Sequence, residues 1–364
     1  MIASSLSQSI QCQLAFRFLA GFFGSGPLAL GGACVGDIWS PKERTYTFPV
    51  FSNAAIMGPL VGPVVGGYIG AKTNSSWRKT EWTDIGAAGV VLILVVLTQR
   101  ETYAPVLLSW KAKQLRRLTG DTRYVSEAVI DRKPFRTRLG TVIARPFTLT
   151  FTEPILILTG LWMIMIWILM FILLRGYTSI FGDTYNTSEG VTGLCFVGLD
   201  VGLIISSSTV PLIYLCLRSH FHRPTVQNLA PEYRLWYGLI SAPCIPLSLL
   251  WMGYTARPEN SIWSPLAASV VLGYGMLGTF TSCCEYIGQC YGKNTGFALS
   301  WNTFARYIIA GIIVEASPHI WRGLGVQYTM TMLAIICALL VPIPYVFYCW
   351  GPWFRARGRE ALSP

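Results

Sequence analysis

Long apolar runs separated by short polar breaks are the feature that most constrains how this chain can fold. A helix needs about 20 predominantly apolar residues to cross the hydrocarbon core of a bilayer. Because irregular backbone cannot face lipid, a run of that length predicts a membrane-spanning helix. The sequence contains nine such runs and predicts an all-α, polytopic membrane helical bundle with spans at 13–37, 48–70, 83–99, 154–175, 191–216, 236–255, 263–290, 296–316 and 325–349.

The composition excludes most classes of soluble protein. Only 12% of the 364 residues are charged and 52% are hydrophobic, whereas a typical soluble domain is about 25% charged. So few charges cannot cover a water-soluble protein of this size, and the high hydrophobic fraction excludes a disordered chain. The sequence has no nucleotide-binding or nucleophile-elbow motif, so we expect no enzyme activity.

Histidine and cysteine give no sign of a metal centre. The three His are too few for the metal site of a membrane desaturase or hydroxylase. The ten Cys lie almost entirely within the spans and form no C-x-x-C pair, which is typical of small packing residues. We therefore expect neither a metal ion nor a cofactor.

The net charge of +11 is concentrated in alternate connections between the spans. One set of connections holds 20 of the 28 Lys and Arg residues, and eleven of these fall between residues 100 and 145. The positive-inside rule places this set in the cytoplasm. The 100–145 segment predicts an amphipathic connector beside anionic lipid, because a nucleic-acid module would carry interleaved aromatic residues. We expect the lipid bilayer as a partner and no nucleic acid.

Two N-glycosylation sequons occur, at Asn74 and Asn186. Both fall in connections that the charge distribution places outside the cell. They are candidate glycosylation sites, although both lie close to the predicted membrane surface.

The most informative motif is Gly58-Pro-Leu-Val-Gly62-Pro63-Val-Val-Gly66-Gly67. The first three of these glycines are spaced by four residues and share one helix face, which would let a second helix approach closely. Pro63 removes a backbone donor and bends the helix. A tight packing seam is the alternative to a functional motif.

This run resembles the antiporter motif of the fifth span of major facilitator superfamily transporters, G-x-x-x-G-P-x-x-G-G. Upstream, Leu14-x-x-Arg17-Phe-Leu-Ala-Gly21 resembles the fourth-span motif, with Arg17 as its basic residue. The segment from Gly36-Asp37 to Arg44 is similar to the acidic-to-basic turn that follows that span. Further similarities to the fungal twelve-span drug:proton antiporters are Glu101-Thr-Tyr-Ala-Pro105, Arg145-Pro-Phe, Glu153-Pro, Asn302-Thr-Phe-x-Arg306 and Pro342-Ile-Pro344.

The resemblance implies a fold of two helical halves, with the nine spans equivalent to spans 4–12. We expect the first three spans, and the gate motif between spans two and three, to be missing. The predicted divisions are a remainder of the N-terminal half at 1–99, a cytoplasmic linker at 100–150, a six-span C-terminal half at 151–350 and a cytoplasmic tail at 351–364.

The resemblance also implies a function, proton-coupled efflux of a drug, toxin or secondary metabolite by alternating access. The proton gradient would supply the energy, and we expect a monomer in the plasma membrane rather than the vacuole. Two alternatives stay open. One is an inactive truncated remnant or membrane interaction protein, and the other is a polyamine carrier of the same fold.

Among the ionisable side chains inside the predicted spans, four are candidates for transport or proton coupling: Arg17, Asp200, Glu285 and Arg306. Such a group costs at least about 2.5–3.5 kcal/mol to insert and marks function by default. An acidic partner for Arg306 would lower that cost. For Asp200 and Glu285, proton or cation handling and structural pairing stay open, and Arg17 could instead snorkel to the interface.

Other polar and aromatic residues are assigned from the same pattern. Asp37 with Arg44 is a candidate cytoplasmic gate. Trp167, Tyr286 and Asn302 are candidates for the substrate cavity, where an aromatic face would bind flat or cationic ligands. The alternative for Trp167 is lipid-facing or core packing.

Overall fold

The computed structural model describes residues 1–72, 77–126, 134–220 and 231–358, and this part of the chain is helical without a strand. It therefore confirms the all-α prediction. A π-helical turn at Thr178–Asp183 and 3₁₀ turns at Pro231–Leu235 and Gly292–Asn294 connect α-helices with these bounds: α1 Ile2–Ser5, α2 Ile10–Ile38, α3 Pro41–Lys72, α4 Trp77–Thr98, α5 Ala104–Thr119, α6 Phe135–Thr152, α7 Pro154–Tyr177, α8 Glu189–Leu194, α9 Val197–His220, α10 Trp236–Ser241, α11 Cys244–Thr255, α12 Trp263–Tyr291, α13 Thr295–Leu340 and α14 Pro342–Arg357.

Within the described residues, seven helical segments are long and apolar enough to cross a membrane. The last of them, Thr295–Arg357, is 63 residues long and contains both of the final predicted spans. The predicted span 13–37 corresponds to α2. The membrane-bundle class is thus confirmed, whereas the count of nine spans stays a prediction.

Gly325 interrupts the long segment, with φ 70° and ψ 178° in the middle of α13. Before it, α13 runs parallel to α7, because Asn302 lies against Gly160 and Trp321 Nε1 donates to the Ile172 carbonyl. After it, the chain runs antiparallel to α10 and α11, as the Tyr345 hydroxyl donates to the Leu239 carbonyl, while Met330 contacts Gly253.

Helix α12 fixes the relative directions of these elements. It runs antiparallel to α7, since Tyr177 donates to Ser269 and Tyr291 donates to Glu153. It is likewise antiparallel to α10 and α11, where Ser282 lies against Gly238 and Ile245 against Gly275. The chain therefore reverses at Gly325, and a left-handed φ there requires a glycine.

The chain divides into two compact units. The first unit comprises Met1–Arg44 and Ser76–Ala144, and the second comprises Thr45–Ser75 and Arg145–Pro364. Most of α3 therefore groups with the C-terminal helices. The divisions expected at residues 99 and 150 stay predictions.

In the first unit, polar contacts attach the N-terminal helices to α4. Arg17 pairs with Glu81 at 2.5 Å, and the Ser4 hydroxyl donates to the same carboxylate at 3.3 Å. Helix α4 has no buried residue. After its charged first turns, residues 85–97 are apolar on every side, which is typical of a membrane span. The basic connector begins as α5, which ends at Gly120 in the left-handed conformation.

Ser40 and Glu43 begin α3 as a capping box. The Ser40 backbone N–H donates to Glu43 Oε2 at 2.9 Å, which satisfies a donor that the helix itself leaves unpaired. Hydrogen bonds from the Ser40 side chain and backbone hold the pKa of Glu43 below its ordinary value. The carboxylate form is therefore favoured, and the cap weakens only when the pH falls through that lowered pKa.

Small residues allow close helix contacts in the second unit. A Cβ added at Gly202 of α9 would collide with the Val270 carbonyl, and one at Gly273 of α12 would collide with the Leu199 carbonyl. Lipid supplies no hydrophobic drive for helix association, so close backbone packing at such positions takes over that role. The seam holds α9 against α12 with the polar residues between them in fixed positions.

Candidate functional site

Arg306 lies at the centre of a polar and aromatic cluster in the second unit. Its side chain is 6% exposed, eleven residues after the start of α13 at Thr295, which corresponds to about 17 Å along the helix axis. The guanidinium carbon stands 4.1 Å from the centroid of the Trp167 ring. The rings of Phe280 and Tyr307 each lie 5.4 Å away. This is a buried cation–π arrangement at mid-span depth.

Asn302 lies one helical turn before Arg306 and faces the same helix, α7. Its Nδ2 is 3.8 Å from Met163 Sδ, and a Cβ added at Gly160 would come within 2.7 Å of its Oδ1. The spacing of 160, 163 and 167 places those residues on one face of α7. The structure therefore brings Asn302, Arg306 and Trp167 together as expected for one site.

The carboxylate partner expected for Arg306 is not present among the described residues. Glu285 pairs instead with Arg234 at 3.1 Å, and both side chains are 9% exposed. The reason is the helix face. Arg306 interacts with Phe280 and Cys284 on one side of α12, whereas Glu285, the next residue, is rotated by about 100° and meets Arg234. The Trp167 ring face, predicted to bind a flat or cationic ligand, is covered by the guanidinium of Arg306.

Asp200 is the second isolated ionisable group. It is 5% exposed in the first turn of α9 and lies midway along the candidate span Glu189–Ile213. Within the described part of the chain its Oδ1 has no hydrogen-bond partner. A buried, uncompensated carboxyl group is costly, and in a membrane it is a default candidate for a functional role.

Helix α3 packs antiparallel to α8 and α9. Gly193 lies against the Pro63 carbonyl, where a Cβ would come within 2.5 Å, and a Cβ at Gly67 would come within 2.8 Å of the Glu189 carbonyl. Further along, Asn53 Nδ2 donates to Ser207 Oγ at 2.9 Å. The register of these pairs places Asp200 level with residues 56–60, the beginning of the glycine-rich motif.

The face of Gly58, Gly62 and Gly66 is not the one that packs closely in the second unit. No atom of the described residues in that unit lies within 4 Å of a Cβ placed at any of the three. The described part of this unit therefore forms no close seam on this face, and Gly67 makes the close contact instead. The role of the three glycines as a transporter motif stays a prediction. One residue along a helix rotates the position by about 100°, which carries Gly67 onto the side of α8.

A buried ionic network occupies one end of the second unit, the inner end according to the charge distribution, which predicts that this end faces the cytoplasm. Arg234 is bound to Glu285, and its Nε and Nη2 lie 2.8 and 3.1 Å from the Gln289 amide oxygen when that amide is oriented to accept. Nearby, Arg355 of α14 pairs with Glu232 at 2.8 Å, with both side chains below 9% exposure. The network joins the 3₁₀ turn before α10 to α12 and α14.

Glu153 extends this buried polar layer to α7. It precedes the first residue of α7, is fully buried, and accepts a hydrogen bond from the Tyr291 hydroxyl at 3.1 Å. Sequence reasoning missed Glu232, Arg234 and Arg355 as paired groups. A signal for them is present in the sequence. Glu232 and Arg234 carry opposite charges immediately before the span 236–255, and Arg355 lies in the basic tail after the last span.

Tyr286 does not belong to the Arg306 cluster. Its ring stacks on Phe347 of α14 with centroids 5.6 Å apart, next to the inner ionic network rather than at mid-span. Of the three predicted cavity residues, the structure thus groups Trp167 with Asn302 and separates Tyr286 from them.

The predicted residues of the first unit have different surroundings. The Arg17 side chain is 60% exposed and bound to Glu81. A Cβ added at Gly21 would meet no side chain and no other helix within 4 Å among the described residues of that unit. Arg44 donates to the backbone carbonyls of Gly36 and Trp39 at the end of α2.

Arg44, the predicted gate partner of Asp37, binds backbone carbonyls of α2 and the residue after it. In the described ranges Arg44 makes no ion pair with Asp37, whose side chain is exposed. The guanidinium binds the free carbonyls of the last turn of α2, where the helix dipole also favours a cation.

Of the two sequons, Asn74 lies outside the described residues. Asn186 is exposed in the connection between the π-turn and α8, with a φ of 51°. Asparagine tolerates this left-handed conformation better than most residues. Glycosylation at both positions stays a prediction.

Apolar helices that pack through glycine seams and bury charges at mid-span are typical of polytopic membrane proteins, and such charges mark the binding and coupling sites of transporters. Residues 1–315 match the family model of the Major Facilitator Superfamily, and the chain belongs to this family. The family confirms the resemblance found in the motifs and the expectation of a transporter rather than an enzyme.

Three fungal relatives illustrate the similarity. The MFS-type transporter kojT of Aspergillus flavus is 41% identical over 363 residues, which cover 99% of this chain and 64% of kojT. The transporter paaT of Penicillium rubens is 30% identical over 100% of this chain and 66% of its own length. The citrinin biosynthesis cluster MFS transporter mrr1 of Monascus ruber is 30% identical over 98% and 71%, respectively. The chain thus spans about two thirds of the length of these relatives.

Proposed function

We propose that this protein exports a small organic compound, such as a secondary metabolite, by alternating access driven by proton entry. Membership in the family supports transport, and the naming of one relative for the citrinin biosynthesis cluster supports a secondary metabolite as cargo. Export from the cell favours the plasma membrane over the vacuole. The chain covers 64% of the length of kojT, so the activity of the complete transporter is part of the proposal.

The observation that carries proton coupling is the isolation of Asp200. A carboxyl group in a dry site is stable when neutral and ionises when water reaches it. Alternating access exposes such a group to each side of the membrane in turn. Asp200 lies midway along its span, so it can bind a proton from outside and release it inside.

Glu285 has a different role in this proposal. Its pairing with Arg234 satisfies the charge, and removing one partner of a buried pair costs about 3–5 kcal/mol. The inner network therefore holds the ends of α7, α10, α12 and α14 together as the half moves. A polyamine carrier, which would use both acidic groups, loses one of them to this pairing and keeps only Asp200.

Transport by reconstituted full-length protein tests the proposal. With an imposed pH gradient and citrinin as one probe within a panel of fungal metabolites, we expect accumulation that collapses when a protonophore is added. Asp200→Asn should abolish the dependence on the pH gradient, because an amide cannot carry a proton.

The matched control is Asp183→Asn, which removes an exposed carboxylate at the outer end of the π-turn. This variant should transport as the unaltered protein does. Full pH-gradient dependence in the Asp200 variant would remove this residue from the coupling mechanism. Absence of transport across the whole panel would favour the inactive remnant.

A further inference from the structure

We propose that the cluster of Arg306, Trp167 and Asn302 is a binding site for a planar organic anion, such as an aromatic carboxylate or enolate. The inference rests on the proposed export function and adds the chemical class of its cargo. The first observation is the guanidinium itself, which is buried to 6% exposure without an ion pair to any carboxylate of the described residues.

The second observation is an excess of hydrogen-bond donors. The Nε of Arg306 and the Nε1 of Trp167 are both buried without a partner among the described residues. Leaving a buried donor unsatisfied costs about 1–3 kcal/mol, and more for a charged group. Two such groups in contact therefore favour a ligand that supplies acceptors, and an anion supplies both acceptors and the missing charge.

The third observation is the use of the aromatic faces. The ring of Trp167 is covered by Arg306 at 4.1 Å and packs against Phe280 with centroids 5.2 Å apart. A cationic ligand would compete with the guanidinium for that face and be repelled by it. A flat anion instead meets the guanidinium through its charge and the surrounding rings through its own ring.

Asn302 and Tyr307 complete the site. The Asn302 amide has a sulfur atom, Met163 Sδ at 3.8 Å, as its weak acceptor, so it can donate to a stronger one. The Tyr307 ring, 39% exposed, lies 5.4 Å from the guanidinium. The buried charge is thus one ring away from the surface of the second unit.

Binding to the purified full chain tests the inference without requiring transport. Equilibrium dialysis would compare three probes with one ring system: 2-naphthoate, 2-naphthamide and 2-naphthylmethylammonium. We expect 2-naphthoate to bind at least tenfold more tightly than the neutral amide, and the ammonium probe to bind least. Equal affinity for the three probes in the unaltered protein overturns the inference, whatever the variants show.

Two variants assign the preference to the side chain. Arg306→Gln should remove the tenfold preference, whereas Arg306→Lys should keep a preference for the anion with weaker binding. Arg175→Gln removes an exposed arginine at the outer end of α7 and should leave all three affinities unchanged. An unchanged preference in a folded Arg306→Gln protein, judged by its elution as a monodisperse species, would also overturn the inference.

The outcome separates this inference from the proposed function. Anion-selective binding without pH-driven transport retains the site and rejects the export function. Proton-driven transport without any preference for 2-naphthoate retains the function and rejects the anion site.

Discussion

Neighbouring residues of one motif have opposite environments in this protein. Gly66 faces open space in the second unit, whereas a Cβ at Gly67 would come within 2.8 Å of the Glu189 carbonyl. The same holds for the ionisable residues, because Glu285 has a buried cation beside it and Arg306 has an aromatic ring. At the residue scale, rotation about the helix axis decides which side chain is structural and which is available for a ligand.

The two glycines therefore predict different effects of the same substitution. Gly67→Ala should destabilise the protein by about 1–3 kcal/mol, because α3 or α8 must shift to admit the methyl group. Gly66→Ala should be neutral or stabilising by up to about 1 kcal/mol, since alanine is the better helix former. Thermal unfolding in detergent, followed by tryptophan fluorescence, would measure both, and equal effects would contradict the packing described for α3.

At the scale of elements, glycine seams and buried pairs hold the helices of the second unit together. The α9–α12 seam is formed where carbonyls of one helix meet glycines of the other. At the inner end, Arg234 and Arg355 link the turn before α10 to α12 and α14. Both kinds of contact fix neighbouring helices against each other. We therefore expect the C-terminal helices of the second unit to move as one body during transport.

The Arg234–Glu285 pair gives a prediction at this scale. Glu285→Leu leaves a buried guanidinium without its carboxylate and should cost about 3–5 kcal/mol of stability. Combining it with Arg234→Met should restore most of the loss, because two apolar side chains then fill the same volume. The same thermal unfolding assay applies.

An exposed pair serves as the control for this experiment. Arg123 lies 4.0 Å from Asp121 and is 92% exposed, so Arg123→Ala should change the stability by less than about 1 kcal/mol. A loss in Glu285→Leu as small as this one would show that the inner network does not hold the helices together.

At the scale of the whole molecule, the alternation of charge predicts which ends of the helices face the cytoplasm. The contacts in the second unit agree with this alternation, since α12 is antiparallel to α7, α10 and α11 and the chain reverses at Gly325. The basic segment at 100–145 and the Asn186 connection should therefore lie on opposite sides of the membrane.

Cysteine labelling tests this topology in intact cells. In a background with the exposed Cys12 and Cys349 changed to Ser, a membrane-impermeant maleimide should label Asn186→Cys directly. Thr119→Cys, at the end of α5, should react only after the cells are permeabilised. Both positions are exposed, so a difference reports the side of the membrane, and labelling of both in intact cells would reject the orientation.

Class, family motifs and span positions were predictable because they depend on local or summed properties of the chain. The apolar length that crosses a bilayer, the bias of Lys and Arg between connections and the order of motifs need no knowledge of which helices touch. The second of the predicted spans 296–316 and 325–349 even begins at the break, Gly325. The motif with Asn302 and Arg306 likewise named two residues that the structure places on one helix face.

Pairing between helices was decided only by the tertiary structure. Residues 85–97 of α4 are apolar on every side, so they carry no polar face from which the rotation or register of this span could be inferred. For that reason the sequence by itself determined a polytopic membrane protein of the Major Facilitator Superfamily with charges inside its spans. The tertiary structure alone decided that Glu285 binds Arg234, that Asp200 lies beside the glycine motif without a cation, and that Arg306 covers Trp167.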